Sequence, residues 1–351
     1  MALPPSTCFR GIFVLLLLAL IGTPDIAAQT AKPLEGEGIW SLLRRSGIGP
    51  TSALATEFRR LNASKLKSGD RLLKGFEYKL PGNTEAAASS AKVARQPEGE
   101  VYDIFGEEYE LVQRKSNRLA GHVYYVVGGH GGPDPGTVSS LGGRPFAEDE
   151  IAYDTSLRLA RRLLEEGAKV YIIVRDRNDG IRDSEYLRPD SDEYYLGHVS
   201  IPGNHLARLK RRTDIINHYY DQNRSTARSQ QVISLHVDAF DANRTQPQID
   251  VHFMYSSDRG RDLGTTLQAE FRRQYARHQP DRGYSGRVQR GDLYVLKNTK
   301  PTAVMIELGN IRHEGDRRRL VMPSNRQALA EWISAGLLEQ ASTPPNVRRT
   351  E

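Results

Sequence analysis

Cysteine is nearly missing from this sequence: 351 residues contain one, Cys8. The chain therefore has no internal disulfide, no cysteine-built metal site and, past residue 8, no cysteine nucleophile. Extended apolar runs are also scarce. Ile12 to Ile21 is the one long run, and it is too short to span a bilayer comfortably. Charge of one sign does not dominate, since 49 Lys and Arg face 43 Asp and Glu, a formal net charge of +6. That balance favours acidic partners such as nucleic acid, anionic membrane or anionic wall polymer, and does not choose among them. Hydrophobic residues at 38% and charged residues at 26% exclude both a disordered and a membrane-embedded chain.

The apolar run has the surroundings of a secretory signal. Arg10 precedes it, Gly22, Thr23 and Pro24 follow, and Ala27 and Ala28 supply small residues for cleavage. Residues 1–28 are expected to be removed on export, leaving no stable membrane insertion. Cys8 lies before the run, not after it, which excludes a lipid anchor there. The expected location is secreted, in the periplasm or cell envelope.

Four further zones follow. Residues 35–81 look compact. Residues 82–100 hold almost no large apolar side chain and read as a linker. Residues 101–340 alternate buried-strand and amphipathic-helix patterns, and residues 341–351 form a loose tail. In the large zone, strands are expected at Val123–Val127, Val170–Val174, Val232–Val237, Val251–Tyr255 and Ala303–Leu308. Helices are expected at Ile151–Glu166, Leu206–Asp221, Leu263–Tyr275 and Gln327–Leu338. This order predicts an α/β fold with a mostly parallel central sheet flanked by helices. In such sheets ligands gather at the carboxyl ends of the strands.

The first strand runs into Gly128-Gly129-His130-Gly131-Gly132-Pro133-Asp134-Pro135-Gly136. A phosphate loop would end in Lys-Ser/Thr and open a helix directly, and this loop does neither. The third strand carries His236 in Ser234-Leu235-His236-Val237-Asp238-Ala239, and the helix after the first loop opens on Glu148-Asp149-Glu150. Acidic residues suit a helix start for its dipole alone. Two histidines and a glutamate with an open fourth position also make a catalytic zinc set. Glu307 follows the apolar run Ala303–Ile306, where a buried carboxylate is costly without a function or a partner.

Taken together, Gly-His-Gly-Gly-x-Asp-Pro-Gly, a glutamate opening a helix, Ser-x-His-x-Asp-Ala and an apolar strand ending in glutamate resemble the zinc-dependent N-acetylmuramoyl-L-alanine amidases, over residues 120–340. The resemblance implies Zn2+ held by His130, Glu148 and His236, with Glu307 as the catalytic glutamate. The choice of Glu148 over Glu150 rests on that alignment. The implied substrate is peptidoglycan, cut between muramic acid and L-alanine. Two departures stand out: Gly128 where the family often has an acidic residue, so His130 needs another orienting partner, and Leu308-Gly309 where it usually has Gly-Phe. The acidic, tyrosine-rich stretch 176–203 suits a substrate-gripping loop or a lid.

Gly36 to Leu43, Leu61 to Leu72 and Tyr78 to Pro81 resemble a LysM module, which implies a small α+β domain and glycan binding with Trp40 and Asn62 as candidate contacts. Other readings remain open: a non-catalytic wall-binding protein on the same fold, or a zinc peptidase acting on wall peptides. A nucleic-acid partner would use Arg208, Lys210, Arg211 and Arg212, but export argues against it. The sequence names no activator protein.

Overall fold

A computed structural model describes residues 29–33, 39–48, 52–66, 72–73, 75–81, 99–240, 245 and 247–342. The signal segment 1–28, residues 82–98 of the linker and residues 343–351 of the tail lie outside the described residues. Among the described residues no helix is long and apolar enough to cross a membrane. The chain divides into a small unit, described up to residue 81, and a larger one, described from residue 99.

The small unit pairs Thr30–Ala31 with Tyr78–Lys79 antiparallel and holds two helices, Ile39–Arg45 and Ser52–Leu61. Leu42, Leu43, Ala55, Phe58 and Tyr78 make its core. Asn62 locks this arrangement. Its amide donates to the carbonyls of Phe58 and Lys79, both at 2.8 Å, and its Oδ1 accepts from Lys79 N at 2.8 Å. At 1% exposure, both its amide protons are held by backbone carbonyls. The side chain of Trp40 lies outside the described residues.

The larger unit is an α/β fold around a six-stranded sheet. Its strands are β1 (His122–Gly128), β2 (Lys169–Ile172), β3 (Ser229–Asp238), β4 (His252–Tyr255), β5 (Val288–Arg290) and β6 (Thr302–Asn310). Their order across the sheet is β5-β4-β6-β3-β1-β2, and every pairing is parallel except β4 with β6. The main helices are α1 (Glu148–Glu165), α2 (His205–Asn223), α3 (Asp258–His278), α4 (Tyr294–Asn298), α5 (Glu314–Val321) and α6 (Pro323–Ser342).

Alternation along the strands sorts the two faces. Tyr124, Val126, Ile233, Leu235, Val304 and Ile306 pack under α1, α3 and α6. Val123, Tyr125, Val127, Val232, Ala303 and Met305 pack on the other side, against Ile216 of α2 and Val295 and Leu296 of α4. Burial on both faces explains why these strands read as continuous apolar runs.

Two expectations shift. The run expected as one strand, Val170–Val174, leaves the sheet after Ile172. Val174–Arg175 instead pairs with Tyr194–Tyr195, which pairs with Val199–Ser200 in a separate three-stranded sheet. The tail begins later than expected, because α6 continues to Ser342.

Candidate functional site

Parallel pairing puts His236 of β3 directly beside Glu307 of β6, and antiparallel pairing puts His252 of β4 on the other flank of Glu307. Residues paired across strands share a face. The three side chains therefore stand in one row at the carboxyl ends of β3 and β6. On the other flank of β3, Gly129 leaves room for the imidazole: a Cβ there would sit 2.5 Å from the Cε1 and Nδ1 of His236.

The loop after β1 swings His130 back toward this row. Its φ is 60°, left-handed, a conformation histidine visits more readily than bulkier residues. Several bonds hold it there. Gly131 N donates to Asp134 O at 2.8 Å, and Arg212 Nη2, from α2, donates to the carbonyl of His130 at 2.7 Å.

Glu148, in the first turn of α1, closes the set. Its Oε1 lies 3.1 Å from His130 Nε2 and 3.1 Å from His236 Nδ1, and accepts from Val237 N at 3.2 Å. Its Oε2 accepts from Thr137 N at 3.1 Å. One ligand atom each from His130, Glu148 and His236 falls within a 4.8 Å group. Two imidazoles and a carboxylate converging on one point, with the carboxylate pinned by backbone amides, fit a zinc ion with an open position. The three residues expected as ligands are thus brought together.

The missing acidic partner of His130 proves to be Asp134. Its Oδ2 lies 3.1 Å from His130 Nδ1, and Arg208 Nη2 of α2 binds the same oxygen at 2.9 Å. An outer carboxylate of this kind fixes which ring nitrogen faces the metal. Asp134 stood in the quoted loop motif, yet nothing in the linear sequence marks the turn that folds it back.

The electrostatics follow from this geometry. Burial works against a charged His130, but Asp134 and Glu148 outweigh it and raise its pKa to about 9. Glu148 is also buried, which alone would raise its carboxyl; hydrogen bonds from His130 and His236 hold it well below the usual range. In the metal-free chain, then, a proton on His130 competes with a cation. Burial lowers His236. Glu307 is 8% exposed, and its Oε2 has no hydrogen-bond partner among the described residues. Burial raises it well above a normal glutamate, with the charges of Asp238 and Glu148 adding to the effect. A carboxyl that readily takes a proton beside a cation site can move one during hydrolysis.

Glu150, the alternative ligand, belongs elsewhere. It pairs with Arg182 at 2.8 Å and accepts from Asp190 N at 3.2 Å. The stretch 176–203 packs onto the His130 loop. Glu193 accepts from Gly132 N at 2.7 Å, and Ile201 lies against the Cα of Gly132 closely enough that a Cβ there would meet it at 3.1 Å.

Comparison with known proteins finds cell-wall amidases. An uncharacterized cell wall amidase of Bacillus anthracis is 24% identical over 243 residues, which is 65% of this chain and 37% of that protein. The chain thus spans little more than a third of that relative. The germination-specific N-acetylmuramoyl-L-alanine amidase of Bacillus subtilis is 22% identical over 220 residues, 63% of this chain and 80% of its own length. Among solved structures, an N-acetylmuramoyl-L-alanine amidase from Clostridium difficile 630 is 23% identical with a TM-score of 0.46, covering 65% of this chain and 100% of that one. Residues 125–339, the whole span that carries the site, match the N-acetylmuramoyl-L-alanine amidase family, and the chain belongs to it.

Proposed function

We propose that this protein is an exported zinc amidase that hydrolyses the bond between N-acetylmuramic acid and L-alanine in peptidoglycan. The observation that carries the reading is the convergence of His130, Glu148 and His236 beside the buried Glu307, whose Oε2 has no hydrogen-bond partner among the described residues. Family membership and the cell-wall substrates named for both curated relatives favour the same bond. Action on peptidoglycan requires an extracytoplasmic place, in keeping with a signal at residues 1–28.

When bound, zinc supplies Lewis-acid polarisation of the amide carbonyl and lowers the pKa of water. The chain's own groups do the rest. His130 and His236 present one nitrogen each, and Asp134 keeps the His130 ring in its orientation. Glu307 accepts a proton from the attacking water and delivers it to the departing alanine nitrogen as the C–N bond breaks. The products are the lactyl carboxylate and a free stem-peptide amine. No covalent enzyme intermediate is required.

Glu307→Gln separates binding from chemistry. The purified wild type is expected to hold about one zinc per chain and to free intact stem peptides from glycan. The variant should keep its zinc and lose release by roughly a hundredfold or more. A wild type that binds no zinc, or that cuts only within the peptide, would sink the reading. In the small unit, the same reading assigns a glycan-binding tether that raises the local concentration of substrate.

A further inference from the structure

Glu307 has a cross-strand partner on each side, His236 on β3 and His252 on β4. The hydrolysis described above uses Glu307 and His236 and gives His252 no part. Val251 and Phe253 pack into the core. Alternation therefore turns the imidazole between them to the opposite face, that of Glu307.

Asp238 forms a pair with this imidazole. Opposite Val237, β6 carries two residues, Leu308 and Gly309, so the register slips between His236 and Asp238. A bulge of this kind re-aims the side chain beside it. The Oδ1 of Asp238 accepts from Ala239 N at 2.7 Å, and its Oδ2 lies 3.7 Å from His252 Nε2. That gap is too wide for a direct hydrogen bond. One donor atom can reach both groups at once. Burial, opposed by the charge of Asp238, lowers the His252 pKa, so the ring is neutral at pH 7 and carries one proton. The Asp250 backbone takes that proton in a hydrogen bond, which leaves Nε2 a lone pair facing Asp238. Two acceptors around one space suit a group with two N–H bonds. Among charged groups, Asp238 bears most on Glu307, so the space adjoins the carboxyl that delivers the proton.

We propose that His252 Nε2 and Asp238 Oδ2 receive the nitrogen of the scissile amide, which makes His252 a further catalytic residue and lays the stem peptide over β4 and β5. The inference rests on the amidase reading above. When the C–N bond breaks, its electron pair stays on nitrogen and Glu307 transfers one proton to it. The nitrogen enters with one hydrogen and leaves with two. The two acceptors match those two N–H bonds, and neither changes its own protonation. Past His252 the sheet edge is basic: Arg287 and Arg290 are exposed, and the charge of Arg287 reaches His252. The free carboxylates of a stem peptide suit that edge.

The test gives the zinc-loaded full chain two soluble substrates, a muramoyl-L-alanyl peptide and its ester analogue, in which oxygen replaces the scissile N–H. The ester offers the acceptors no hydrogen before cleavage. His252→Phe should lower kcat/KM on the amide by roughly tenfold or more beyond any loss on the ester, with the zinc content of the wild type. His252→Gln, which keeps an acceptor oxygen, should restore most of the amide-to-ester ratio. If His252→Phe fails to fold, Asp238→Ala should shift the ratio in the same direction. A merely structural role would depress both substrates alike. Variants that fold, keep zinc and lose equally on amide and ester overturn the inference alone, as do variants that lose on neither. A wild type that cleaves neither substrate fails the amidase reading, and the inference falls with it.

Discussion

Asp134 lies outside the candidate ligand group, yet its Oδ2 pairs with His130 Nδ1 and takes a second bond from Arg208. Removing such an outer partner costs roughly 10- to 100-fold in metal affinity. Asp134→Ala is therefore expected to weaken zinc binding by that amount, measured by competition with a chromophoric chelator. Glu307→Gln should leave the same affinity unchanged. Wild-type affinity in Asp134→Ala would mean that the backbone alone orients His130. The sequence pointed to the three candidate ligands but not to Asp134 beside them, because its place depends on the left-handed turn at His130. Gly136 sharpens the point. A methyl there would meet Glu148 Oε2 at 2.7 Å and His130 Cδ2 at 2.8 Å, a constraint that only the folded loop displays.

At the scale of elements, a buried ion network ties α1 to α6. Arg326 is fully buried and binds Asp154 through Nε at 2.6 Å, while Arg158 binds the same carboxylate at 2.8 Å. Arg326 also donates to the carbonyls of Arg182 and Ser184, so the 176–203 segment shares the joint. Burial alone would raise the Asp154 carboxyl, but Arg326 and Arg158 outweigh it and hold it below its normal value. The unfolded-state pKa is about 3.9. The stability from this pairing is thus complete above about pH 4 and is lost as pH falls through the lower folded-state value. Asp154→Ala, which strands two arginines, should cost about 3–5 kcal/mol at pH 7 by urea unfolding. Asp154→Asn should lose less stability than the wild type between pH 7 and pH 3, and equal losses would remove Asp154 as a source of acid sensitivity. Five of the six strands and the four long helices were legible because burial on both sheet faces writes long apolar runs and 3.6-residue stripes, whereas the short β5, α4 and α5 carry no such pattern and were not expected. This joint was not, since Asp154, Arg182 and Arg326 are far apart in sequence. The departure of Val174–Arg175 from the sheet was hidden for a related reason: an unbroken apolar run does not mark where pairing changes partner.

Across the whole molecule, the two units have separate cores. Leu42, Phe58 and Tyr78 belong to one, and the clusters on the two faces of the larger sheet share no residue with it. A unit with its own core and its own site is able to fold and act alone. A chain starting at residue 99 is therefore expected to melt cooperatively and to bind zinc like the full protein. On small soluble muropeptides, where tethering brings no gain, its kcat/KM should equal that of the full chain. On insoluble peptidoglycan its rate should fall roughly tenfold or more if the small unit holds the enzyme on glycan. Equal rates on the insoluble substrate would end the tether reading and leave the small unit without a binding role there. Failure of the shortened chain to fold would instead show that the larger core depends on the residues before it, and would leave the zinc chemistry untouched.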